Sequence, residues 1–163
     1  MKETTMTLLD QLFELRDKQR QEIAKGLRVV RGKERAVERN RNGLVKWYMH
    51  PLLNDTASKA LIVYTQEIPA GSKSGKQKLQ GGILLYVLEG EGYTMLDNDK
   101  HEWFRGDMIN IPQRDKGITV QHFNSSSDYP VRLLSVQPNL VDCLGVDRGA
   151  GFEQLEDAPE YSK

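Results

Sequence analysis

Three histidines and one cysteine are the side chains with the widest chemical reach in this chain: His50 in "WYMHP", His101 in "DNDKHEWF", His122 in "ITVQHFN" and Cys143 in "VDCLGV". Nothing in the histidine spacing requires three ligands to converge, as a metal site demands. Cys143 has no neighbouring base in sequence, and no Ser–His–Asp order with a nucleophile elbow occurs. "GSKSGKQ" and "GEGY" lack the spacing and the following helix of a phosphate loop. Glu89 and Glu91 are paired acids in an exposed turn. His122 is the strongest polar candidate. Residues of equal parity share one face of a strand, so His122 and Asn124 should point inward with Val120 while Gln121 points away, and Gln77 should face the same cavity from an opposite strand. One imidazole and one amide can orient a carboxylate, a phenol or a sugar hydroxyl in an apolar pocket. The competing reading of His122 is a core histidine held by a buried hydrogen bond. His101 beside a turn at Asn98 and Asp99 reads as exposed, and His50 as the end of a strand.

The elements that position these residues follow from periodicity. Residues 7–25 place Leu9, Leu12, Phe13, Leu15 and Ile23 at helical spacing, with Thr7 as a possible cap and Gly26 as the stop. Such a stripe is expected to pack on the domain's own body or across a dimer. Residues 27–43 form a basic arm with a short strand expected at Leu27 to Arg31. From Gly43 onward the pattern changes to β-formers at 44–50, 60–68, 82–90, 92–97, 100–104, 107–111, 118–123 and 131–137, separated by Gly, Pro, Asn, Asp and Ser. Eight short strands predict an antiparallel sandwich or barrel. Tyr86, Tyr93, Trp47 and Trp103 read as packing or interface residues. The tail reads as mostly loop, anchored by Phe152 and Leu155. The organisation expected is an N-terminal helix and arm over 1–43, a barrel over 44–140 and an acidic tail over 141–163.

Two spaced motifs carry a resemblance. Gly71, Gln77, Leu79, Ile83 and Gly90 keep the spacing of a first cupin motif, and Gly106, Pro112, Gly117 and Asn124 keep most of a second, with a longer loop between Pro112 and Gly117. From about Leu61 to Val136 the chain therefore resembles a cupin, and "GGILLYVLEGEGYT" with "QHFN" is similar to small bacterial cupins akin to gentisate-type ring-cleaving dioxygenases. The resemblance implies an all-β double-stranded β-helix, a jelly-roll barrel, preceded here by an α-helix. In the family, three histidines and a glutamate hold a metal; at those positions this chain has Gln77, Leu79, Ile83 and Val120. Alkyl groups have no lone pairs for a cation, and the ion would lose hydration without recompense. Gly90 and Gly92 are expected to allow positive φ at a chain reversal, and Pro112 to suit a strand end.

Composition bounds the rest. A length of 163 residues suits one domain that buries about 70% of its unfolded surface. Lys plus Arg and Asp plus Glu both total 23, which disfavours nucleic acid as a partner. Charge is uneven, with eleven basic and four acidic residues from Arg16 to Lys46, and six acidic against two basic from Asp142 to Lys163. The ends are expected to attract one another or another subunit. A single cysteine, no secretory pattern and no membrane-length apolar run point to a cytoplasmic protein without a membrane partner. The leading expectation is a barrel that binds a small aromatic or carboxylated molecule through Gln77, Leu79, Ile83, Val120, His122 and Asn124, without a metal cofactor. The alternative is a gentisate-type iron dioxygenase with Fe at an unusual site. A homodimer is expected in either case, from the helix, the arm and the open sheet edges.

Overall fold

The computed structural model describes residues 6–139 and 153–161. Cys143, Phe152 and most of the acidic tail lie outside the described residues. Helix α1 (Leu8–Lys25) begins at a capping box: the Thr7 hydroxyl accepts from the Asp10 amide at 3.2 Å, and the Asp10 carboxylate accepts from the Thr7 amide at 3.0 Å. None of its residues is buried, so the expectation that its apolar stripe packs on the barrel is not met within one chain. Leu8, Leu9, Leu12, Phe13, Leu15 and Ile23 are all exposed. The strand expected at Leu27 to Arg31 is also absent. Leu27 instead makes one parallel bridge to Thr56, and a 3-10 turn follows at Gly32–Glu34. Few alternating apolar residues stand there to hold a strand against a sheet.

The barrel is built from β1 (Glu38–Asn40), β2 (Gly43–Met49), β3 (Leu61–Ile68), β4 (Lys76–Leu79), β5 (Ile83–Glu89), β6 (Glu91–Leu96), β7 (Asp99–Phe104), β8 (Met108–Ile111), β9 (Ile118–Asn124), β10 (Val131–Pro138) and β11 (Glu153–Glu156). They form a six-stranded sheet, β1-β2-β3-β10-β5-β8, and a five-stranded sheet, β11-β4-β9-β6-β7. Neighbouring strands run antiparallel. Alternate residues of both sheets meet in one cluster that includes Ile68, Leu85, Val87, Trp103, Ile111, Ile118, Val131 and Leu133. Each such side chain contributes about 1.5–3 kcal/mol on burial. The eight strands expected from alternation are all present to within a residue or two. The three additional strands are short, and each needs its neighbour to be recognisable.

Two of these additions, β1 and β11, come from outside residues 44–140. The tail is therefore not all loop. Leu155 is exposed rather than an anchor; the fully buried Ala158 and the nearly buried Glu160 hold the segment instead. Glu160 accepts from the Ser72 hydroxyl at 2.6 Å, Lys73 pairs with Glu156, and the Ala158 amide donates to the Arg41 carbonyl at 2.8 Å. The two glycines of the β5–β6 reversal differ. Gly90 has φ +84°, as a left-handed turn requires, whereas Gly92 does not adopt positive φ. Its role is close approach: a Cβ there would collide with the Phe123 carbonyl oxygen and the Trp103 ring.

Candidate functional site

One end of the barrel opens into a cavity of about 460 Å³ between β2, β3 and β10 on one side and β4, β11 and the 80–83 turn on the other. Its aromatic wall depends on a bulge. Trp47 is opposite Tyr64, but Met49 is opposite Val63, so Tyr48 is an extra residue and the alternation of β2 shifts by one. Trp47 and His50 consequently both reach the cavity, although an unbroken strand would place them on opposite faces. Trp47 packs edge-on to Tyr64, with ring centroids 4.9 Å apart, and to His50 at 5.0 Å. Its Nε1–H donates to Glu38 Oε2 at 3.2 Å, which fixes the indole.

The polar lining is mostly neutral amide: Asn40, Asn42, Gln77, Gln80, Gln137 and Gln154. Gln77 Nε2 donates to Gln154 Oε1 at 3.0 Å, joining β4 to β11. Among the described residues no carboxylate lines the cavity, and Arg41 is the permanently charged residue at its edge. The Arg41 carbonyl accepts from Gln154 Nε2 at 3.3 Å and from the Ala158 amide, while no described carboxylate pairs with its guanidinium.

Below this opening the interior narrows to a chamber of about 10 Å³. The four positions that the cupin motifs reserve for ligands converge here. Gln77 is the register partner of Val120, and Leu79 and Ile83 complete the wall. Leu79, Ile83 and Val120 are all buried. The residues do not fit a divalent cation: three of the four positions are alkyl, and among the described residues no group of three His, Cys, Asp or Glu is placed to hold a metal ion.

His122 also faces the chamber and is nearly buried. Its Nδ1 lies 2.8 Å from Thr94 Oγ1, which in turn accepts from Trp103 Nε1–H at 2.9 Å. Its backbone is fixed as well, with the amide donating to Ser74 Oγ at 2.9 Å and the carbonyl accepting from the Ser74 amide at 2.8 Å. Burial pushes the imidazole pKa down to about 4, so His122 is neutral at physiological pH. Across the chamber, burial raises the Tyr64 phenol, and the neighbouring Ser135 hydroxyl offsets part of that rise. The two side chains fall short of hydrogen-bond geometry, which leaves the fully buried Ser135 Oγ without a partner.

Asn124 requires a correction. It lines neither space, because its amide is committed elsewhere: Nδ2 donates to the carbonyls of Ile68, Pro69 and Tyr129, and Oδ1 accepts from the Ser126 amide. It clasps the β3 end to the β9–β10 turn. Gln77 lines the chamber together with Val120 and His122, from the antiparallel neighbour β4. Gln121 does turn away, donating to the Ser74 carbonyl at 3.0 Å. The residues missed by motif reading are Arg41, Trp47, His50, Tyr64, Ser135 and Gln154. Alternation of β3 and β10 could have found Tyr64 and Ser135; no local signal announces the others. His101 is exposed.

No protein-family model and no curated protein matches the chain. Solved structures do. The polyketide cyclase RemF from Streptomyces resistomycificus matches with TM-score 0.60 and 16% identity over 83% of this chain and 96% of that one. A predicted oxalate decarboxylase from Thermotoga maritima matches with TM-score 0.51 and 25% identity, covering 66% and 96%. A cupin-like protein from the same organism matches with TM-score 0.53 and 18% identity, covering 77% and 92%. These identities speak to architecture rather than chemistry. With its two antiparallel sheets closed around one core, the chain has the double-stranded β-helix fold of the cupins, preceded by a helix.

Proposed function

We propose that this barrel binds a small, flat, carboxylated organic molecule without help from a metal. The observation that carries the reading is the lining of the 460 Å³ cavity: an aromatic wall, a set of neutral amides, and Arg41 with no carboxylate among the described lining residues. A planar ring can lie against Trp47, Tyr64 and the alkyl groups of Leu79 and Ile83, while Arg41 meets the carboxylate. The test is calorimetry and thermal unfolding with benzoate, 4-hydroxybenzoate and 2,5-dihydroxybenzoate. A ligand at a hundred times its Kd raises stability by about 2.7 kcal/mol. No response from any of the three, at millimolar concentration, would remove the proposal.

The rival reading, an iron-dependent ring-cleaving dioxygenase of the gentisate type, needs at least three donors where the barrel offers His122 and an amide. Elemental analysis separates the two. Stoichiometric iron in purified protein, lost in His122→Ala, would install the enzyme in place of the binding module.

We further propose that the protein is a cytoplasmic homodimer in which α1 of one copy covers the outer sheet face of the other. Among the described residues no helix is long and apolar enough to cross a membrane. The outer face carries Val136 between Val63 and Leu84, and Leu134 between Thr65 and Tyr86, with Met108 next to Tyr86. Leu84, Tyr86 and Met108 are exposed. The helical stripe spans about 22 Å at 1.5 Å per residue, close to the width of four strands at about 4.8 Å each. Light scattering after size exclusion is expected to give a dimer that Leu12→Glu with Leu15→Glu converts to monomer; a monomeric wild type would refute this part.

A further inference from the structure

The floor of the barrel holds a polar group without a protein partner, in a chamber lined by both alkyl and polar side chains. Ser135 Oγ is fully buried and unbonded. Native interiors rarely tolerate an orphaned hydroxyl, and the usual remedy is an ordered water. The space fits that remedy, since about 10–15 Å³ of probe-filled volume is what one water needs and the chamber offers about 10 Å³.

The direction of the hydrogen bonds decides what kind of atom is welcome. Trp103 Nε1 can only donate, so Thr94 Oγ1 accepts from it. Thr94 is itself fully buried, and among the described residues the acceptor its own proton can reach is His122 Nδ1. The imidazole therefore accepts at Nδ1. A neutral ring that accepts at one nitrogen carries its proton on the other, so His122 presents Nε2–H, for which the described residues supply no acceptor. The one in-plane lone pair of the neutral ring is taken at Nδ1 and the other nitrogen carries the proton, so neither is open to a cation.

We propose that His122 Nε2–H and the hydroxyls of Ser135 and Tyr64 form a subsite for a single acceptor oxygen, its polarity set by the Trp103–Thr94–His122 relay. Water fills it in the free protein. The chamber shares Tyr64, Gln77, Leu79 and Ile83 with the larger cavity, so a terminal oxygen of a bound molecule can replace that water. This second role rests on the binding reading above.

Nitrogen-15 NMR of the full chain with labelled histidine tests it. The expected result is an Nε2–H tautomer for His122 and a long-lived water giving a cross-peak to that proton. An Nδ1–H tautomer, or an Nε2–H with no water beside it, overturns the subsite. In Thr94→Val the tautomer is expected to become mixed, and an unchanged pure Nε2–H signal would remove the relay; should that variant fail to fold, Trp103→Phe, which removes the N–H together with part of the ring, makes the same test. The ligand arm uses 2,5-dihydroxybenzoate. Binding with loss of the water cross-peak places a ligand oxygen in the subsite, and binding with the water retained confines the site to water. Absence of binding defeats the functional proposal alone, because the measurement on the free protein still decides the floor.

Discussion

At the floor of the barrel Leu79, Ile83, Leu85, Ile111 and Val120 share the wall with His122, Tyr64, Gln77, Asn42 and two serines; at the mouth, six amides, an arginine and an aromatic wall surround a space large enough for a ring. The floor is lined mostly by buried residues, and Ser135 Oγ there is buried without a partner. The mouth is open, and its polar atoms can exchange protein partners for water or ligand at little cost. The positions that the cupin motifs reserve for ligands are alkyl at Leu79, Ile83 and Val120, and on the proposed reading a molecule is recognised at the mouth with His122 beneath it.

The sharpest way to break this contrast is a charge at each end. Val120→Glu puts an unpaired carboxylate on the floor and is expected to cost about 3–5 kcal/mol in urea denaturation, whereas Gln137→Glu at the mouth should cost under about 1 kcal/mol. Similar losses would mean that the floor is wet.

Acid should act on the floor next. His122 has a folded pKa of about 4 against an ordinary 6.5. Between those values the unfolded chain takes up a proton that the folded chain refuses, so stability is unaffected above about pH 6.5 and falls as pH is lowered towards 4. The loss approaches about 3 kcal/mol. His122→Gln should remove that slope from the pH dependence of unfolding, and a wild-type profile already flat between pH 6.5 and 4 would contradict the buried neutral imidazole.

Smaller effects belong to the mouth. Trp47→Ala is expected to weaken binding of whichever benzoate binds by about tenfold, or ~1.4 kcal/mol, measured by calorimetry. Arg41→Gln should weaken it several-fold and abolish most of its salt dependence, since an exposed charge contributes little and is screened. If Arg41→Gln mattered more than Trp47→Ala, recognition would be electrostatic rather than aromatic.

Alternation and turn residues were enough to determine eight strands, the helix with its Thr7 cap, and the absence of donor atoms at Leu79, Ile83 and Val120. Those properties are local, or depend only on residue type, and they survive into the folded chain unchanged. The convergence of these positions with Gln77 followed from the motif spacing and is seen in the β4–β9 register. Tertiary structure alone decided the rest. A single extra residue at Tyr48 brought His50 to the cavity beside Trp47, and β-pairing registers such as this are set by the partner strand. The same holds for β11, which exists because β4 offers it an edge, and for Asn124, buried as its parity requires but held away from the cavity by three carbonyls from other segments. The polarity of His122 depends on Thr94 and Trp103, two residues on neighbouring strands that only folding places in line, because hydrogen bonds are directional and short while sequence spacing carries no direction across a sheet.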